Sequence, residues 1–149
     1  MEDLPSIKDQ LNRKDLFDAF KRQLAKDFEQ SNFPADFADD LEPDYAIIHE
    51  KISLELQHGE KKTDLSLMHL LYRIDISEAQ LKRYLHEYKN ENHINVIADL
   101  IIKRVLQKVI IKQFYKDKKD SWHTNIAISG FIGKLFLLKV IDRFDRSNK

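Results

Sequence analysis

Glu55-Leu56-Gln57-His58 places a carboxylate and an imidazole three residues apart, which puts both on one face of a helix. Di-iron bundles use that pair on two helices and add a glutamate from each of two more. This chain carries a single copy, beside Gly59. Half of the ligand set is missing, and a solvated polar face is the plainer expectation. Asp120-Ser121-Trp122-His123 has similar spacing within a charged stretch and adds nothing firmer. The histidines, His49, His58, His69, His86, His93 and His123, form no His-x-x-x-His pair and have no cysteine beside them. They read as surface or satisfied core residues. Gly130-Phe131-Ile132-Gly133-Lys134 lacks the glycine spacing and the Ser or Thr after lysine that a phosphate loop needs. Nothing makes a nucleophile elbow. On these residues no catalytic group, metal or cofactor is assigned.

Two charged patterns carry more. Asp36, Asp39, Asp40, Glu42 and Asp44 form an acidic run without the order of a calcium loop. Phe33, Phe37, Leu41 and Tyr45 recur through it every four residues, which makes the segment amphipathic. One expectation is a surface helix seated on the core by those apolar side chains. The functional expectation is a docking face for a basic groove, made by Phe33, Phe37, Leu41, Asp39 and Asp40. Further on, Arg104, Lys108, Lys112 and Lys116 also recur every fourth residue, with Lys103, Lys118 and Lys119 beside them. Residues four apart are neighbours on a helix, so the four make a positive ridge about 18 Å long. Such a ridge faces solvent, faces the chain's own acidic residues, or faces an acidic partner such as nucleic acid.

The charge is unevenly placed. Residues 1–60 carry 15 acidic and 7 basic residues, and residues 61–149 carry 10 and 18, so a formal charge of zero conceals an acidic front and a basic back. That polarity favours electrostatic work between the halves or with a partner. A chain of 149 residues fits one domain, 1–149, and 42% hydrophobic residues exclude the disordered class. Three glycines and three prolines argue for long helices with short joints rather than a turn-rich β fold. The absence of cysteine excludes disulfides and suits a reducing, cytoplasmic setting. The acidic N-terminus, Met1-Glu2-Asp3-Leu4-Pro5, shows no export signal. Ile126 to Ile141 is too short and too charged to span a bilayer, although 126–144 has the character of a peripheral membrane contact.

The elements that must position these residues are helices. Asn12 as cap, Asp15 three residues on, and Leu11 with Leu16 as a hydrophobic staple predict one start. Leu16, Phe20, Leu24 and Phe28 then share a stripe. Ser77, Gln80, Ile76 and Leu81 repeat the arrangement and predict a helix over 78–89. One or two helical turns are expected between Phe33 and Pro43. Tyr45, Ile48, Ile52 and Leu56 mark a helix stopping at Gly59, with Lys61-Lys62-Thr63 as the joint to a helix over 64–74. Residues 93–116 are apolar nearly all round, as a buried central helix would be, and Lys116 to Asp120 reads as a polar break. Residues 126–133 fit either a strand or a poor helix start, and 134–144 reads as helix.

The expected fold is therefore an all-α, single-domain bundle of five to six helices around helix 93–116. The expected function is that of a non-catalytic, cytoplasmic adaptor binding a protein partner through charge-polarised surfaces, compatible with a homodimer. The alternative is nucleic-acid binding by the basic helix 93–119. In that version 64–116 forms a helix-turn-helix-like run, with Asn92, His93 and Asn95 opening the reading helix. A metal enzyme built on Glu55 and His58 is the third and weakest class.

Overall fold

Ile7 and Leu11 lie one turn apart and are both buried, and they define α1 (Ile7–Leu11). In the computed structural model residues 7–60 and 64–120 are described, with side chains placed over 7–58 and 66–116. Among them α2 (Lys14–Glu29), α3 (Tyr45–Glu60), α4 (Asp64–Arg73), α5 (Glu78–Glu87) and α6 (His93–Asp120) follow, with one 3-10 turn at Asp36–Ala38 between α2 and α3. The fold is an all-α bundle, as the scarcity of glycine and proline implies. The joint Lys61-Lys62-Thr63 and everything from 121 onward, including 126–144, lie outside the described residues.

α6 is the central element. Val96, Ile97, Ala98, Leu100, Ile101, Ile102, Val105, Leu106 and Val109 are buried, which covers every face of its first half. Its 28 residues reach about 42 Å at 1.5 Å per residue. α3 and α2 pack along it, and α5 packs on it through Tyr84. α4 leans on α3 and α2, while α1 closes the α2–α3 side. The apolar stripes expected from spacing supply the opposing surface: Phe20, Leu24 and Phe28 on α2 and Ile48 and Ile52 on α3 are fully buried.

Several boundaries differ from the sequence expectation, each for a local reason. The N-cap of α2 is Arg13, not Asn12, and no side chain caps it. Asn12 instead closes α1, its N–H donating to the carbonyl of Lys8 at 3.1 Å. Leu11 and Leu16 are still both buried at the junction, and Arg13 pairs with Asp15 at 3.2 Å. α6 continues through Lys116 to Asp120, because charge without glycine or proline does not end a helix. α5 ends at Glu87, earlier than expected, with Tyr88 as its C-cap. The Ser77 cap is formed as expected, accepting from the N–H of Gln80 at 3.1 Å.

The chain reverses after α2 and after α4 by one device. Asn32 and Asp75 adopt positive φ, 64° and 62°. Beyond each, an N–H donates five residues back, Phe33 to Phe28 at 3.0 Å and Ile76 to Leu71 at 2.9 Å. These are Schellman-type ends, in which the residue after the left-handed position packs back on the helix. Asn and Asp tolerate that conformation better than other non-glycine residues, which is how a chain with so little glycine turns tightly.

Candidate functional site

The basic ridge of α6 does not stand free in solvent. Lys103 is only 2% exposed, its ammonium 2.9 Å from Asp99 and 5.5 Å from the Tyr84 ring centroid. The guanidinium of Arg104 donates to the carbonyl of Asp75 at 2.8 Å and to Gln107 at 3.1 Å. Lys108 donates to the carbonyl of Arg73 at 3.2 Å. Arg104 and Lys108 therefore clamp the C-terminal end of α4, where carbonyls lack helical partners and the helix dipole is negative. Lys112 reaches the side-chain oxygen of Gln23 on α2 at 2.7 Å. Lys116 is exposed and has no hydrogen bond or ion pair among the described residues. The side chains of Lys118 and Lys119 lie outside those residues.

Beneath the ridge is a buried carboxylate. Asp27 on α2 is fully enclosed; Gln23 donates to its Oδ1 at 3.1 Å and the Lys108 ammonium is 3.5 Å from its Oδ2. Arg73 approaches Oδ1 at 4.0 Å. One acidic residue of the front half thus meets the basic back at the centre of the α2–α4–α6 junction.

Between α2 and the second half of α6 lies a cleft of about 250 Å³. Arg22 and Lys26, one turn apart on α2, form one wall, and Lys112 and Lys116, one turn apart on α6, form the other. Gln23 and Gln113 add amide groups, and Ala19 and Val109 give an apolar floor. Four cations line the cleft and no carboxylate does. Asp18, Glu29 and Asp39, with Lys21, border a neighbouring depression that shares Arg22 and Lys26. The cleft is thus a positive groove with walls set by two helices, and Arg22, Lys26 and Lys116 carry no ion pair among the described residues.

The acidic segment is placed differently from a free docking helix. Phe33 and Leu41 are buried, and Phe28 meets the rings of Phe33 and Phe37 edge-on at 5.6 Å and 5.1 Å. These three side chains seat the segment on α2 and do not face outward together. Asp39 and Asp40 remain exposed. Pro34 and the break before Pro43 limit the segment to one 3-10 turn, so the four-residue spacing of its aromatics serves packing from an irregular backbone.

The remaining candidates separate. Glu55 is half-buried and His58 exposed at the end of α3, and among the described residues no group of three or more His, Asp or Glu side chains is placed to hold a metal ion. His123 and the 130–134 glycines lie outside the described residues. Asn92 accepts from the N–H of Ile94 at 2.9 Å and so caps α6, while His49 donates to the carbonyl of Asn95 at 2.9 Å. Ile97, Leu100 and Ile101 are buried, so beyond its first turn the N-terminal half of α6 packs on the core, while Asn92, His93 and Asn95 are exposed at its start. No helix among the described residues is long and apolar enough to cross a membrane.

Arg22 and Lys26 are the site residues that sequence reasoning passed over. They lie in the acidic half, where half-chain charge totals hide them, and their partners in the groove are some 90 positions away. The one local signal was their own four-residue spacing on the polar face of α2. No family model, curated protein or solved structure matches this chain.

Proposed function

We propose that this protein is a non-catalytic adaptor of the cytoplasm, and that it takes a protein partner by laying an acidic segment of that partner in the α2–α6 groove. The observation that supports this is the facing pair of cation rows, Arg22 with Lys26 and Lys112 with Lys116, around a cleft without a carboxylate. Charges gathered this way raise the local concentration of an opposite charge and orient it. The apolar floor of Ala19 and Val109 suits a small apolar side chain set among the acidic ones. Arg104 and Lys108 are engaged within the fold, so the groove presents a short row of cations rather than the full ridge, and a short acidic peptide fits it better than a duplex.

Arg22 and Lys116 are the residues to alter, since both are exposed and neither supports the buried Asp27 junction. Beads carrying an Asp/Glu-rich peptide should retain the wild-type chain and release the Arg22→Glu, Lys116→Glu variant, with equal melting temperatures. Equal retention of both would rule out the groove as the binding site. Preferential retention on single-stranded oligonucleotide beads would replace the protein partner with nucleic acid.

A further inference from the structure

A second cleft, of about 300 Å³, lies where the starts of α3 and α6 meet the end of α5. Asp99 and Lys112 are 13 residues apart on α6, so this cleft and the basic groove are separated by about 20 Å along the helix. Its lining has the opposite character: the rings of Tyr45, His49 and Tyr88 with the carboxylates of Glu91 and Asp99. Tyr45 and His49 stand 5.8 Å apart by ring centroid, tilted by 31°.

Both helix starts here have part of their N–H requirement met from within. Asp44 accepts from Ile47 at 3.2 Å and Asn92 from Ile94 at 2.9 Å, which blunts any attraction for an anion. Tyr88 caps the C-terminus of α5, whose last carbonyls add partial negative charge. Asp99 is engaged on both oxygens, accepting the Tyr45 hydroxyl on one and the Lys103 ammonium on the other. Glu91 is exposed and pairs with no cation among the described residues. Two carboxylates against the single ammonium of Lys103 leave the cleft negative. Burial first, then the hydrogen bond to Asp99 and the charges of Asp99 and Glu91, push the ionisation of the Tyr45 hydroxyl far above the ordinary range.

We propose that this cleft binds an alkylammonium group, seated against the Tyr45 and Tyr88 rings with Glu91 as its counter-charge. Aromatic faces attract cations most strongly where water is partly excluded, and a carboxylate at the rim adds a charge-assisted hydrogen bond. The fold already holds one ammonium by this chemistry: that of Lys103 is 2.9 Å from Asp99 and 5.5 Å from the Tyr84 ring centroid. The volume is at the small end of ligand pockets, which run from about 300 to 1,000 Å³, and matches a linear amine rather than a cofactor. The ammonium comes either from a lysine of a partner or from a free polyamine. None of the groove residues lines this cleft, so an amine here binds independently of any acidic ligand in the groove.

Titrations followed by tyrosine ring NMR shifts test it, with acetyl-lysine amide, spermidine and the uncharged acetyl-norleucine amide as probes. The expected result is a saturable shift at Tyr45 and Tyr88 with at least one amine and none with norleucine. Tighter binding of the lysine amide identifies a partner's side chain, and tighter binding of spermidine a polyamine. Glu91→Gln, an exposed change that leaves the fold intact, should weaken binding roughly fivefold or more, about 1 kcal/mol at 1.4 kcal/mol per tenfold. Tyr88→Leu should weaken it while keeping the wall apolar. No shift with either amine, or equal affinity in Glu91→Gln, would overturn the proposal.

Discussion

At the α2–α4–α6 junction, burial alone and charge partnership give opposite orders for two substitutions. The Asp27 side chain is 1% exposed, whereas Lys108 and Arg73 are 26% and 37% exposed. Counting buried surface, Asp27→Asn should be the worse change. Counting stranded charge, it should be the milder one. Without the carboxylate, Lys108 and Arg73 turn their cations towards water, Lys108 keeps its bond to the Arg73 carbonyl, and Gln23 keeps its bond from Lys112. The loss is then that of two ion pairs with both cations rehydrated and of a charged acceptor for Gln23, whose bond can persist on the Asn oxygen, about 1–2 kcal/mol. Lys108→Met removes the nearer cation from a carboxylate that has no route to solvent, and leaves it the neutral Gln23 amide and a single cation, Arg73 at 4.0 Å. Removing one partner from a buried pair costs about 3–5 kcal/mol. The double change should be milder than Lys108→Met alone, because the uncompensated charge is gone. Urea unfolding followed by far-UV circular dichroism gives all three values. A Lys108→Met loss smaller than that of Asp27→Asn would refute the reasoning.

Other expectations follow from single contacts. Ile101→Ala, in the middle of the central helix and fully buried, should cost about 2–5 kcal/mol in the same assay; a loss under about half a kcal/mol would place α6 outside the core. Asn32→Gly should be neutral or slightly stabilising, whereas Asn32→Val forces a branched side chain into the left-handed region and should cost about 1–3 kcal/mol. Tyr45 retains its proton in the folded chain at pH values where the unfolded chain ionises, so between its ordinary value near 10 and the raised folded value the native state binds more protons. That contribution is complete below pH 10 and is lost as pH rises, so Tyr45→Phe should be less stable at pH 8 yet decline less steeply above pH 10. Parallel alkaline limbs for the two proteins would contradict the raised ionisation.

Much of the architecture was legible because it depends on local pattern. Few glycines and prolines, the stripe through Phe20, Leu24 and Phe28, and the Ser77 cap each specify helix from a handful of neighbouring residues. α1 escaped because a single turn is too short to show a period, and its presence shifted the start of α2 from Asn12 to Arg13. The four-residue spacing of Arg104, Lys108, Lys112 and Lys116 was legible, and with it a drift of about 40° per step that leaves only the Lys112 and Lys116 end accessible, but the groups that Arg104 and Lys108 meet were not. Those groups, Asp27 and the end of α4, are remote in sequence. The aromatic period from Phe33 to Tyr45 does mark side chains that seat the segment on the core, but two prolines hold it to a single 3-10 turn, so Phe33 and Phe37 reach Phe28 from an irregular backbone. Arg22 and Lys26 acquire their significance only when α2 is set beside the second half of α6.

The α2–α6 groove carries the proposed function, and the salt dependence of its affinity is the most direct measure. A fluorescent acidic peptide titrated into the protein over a range of salt concentrations should bind with an affinity that falls steeply as salt rises. Arg22→Glu with Lys116→Glu should abolish that binding at every salt concentration and leave the melting temperature unchanged. An affinity independent of salt, or one that survives the charge reversal, would contradict the proposal that this groove receives an acidic partner.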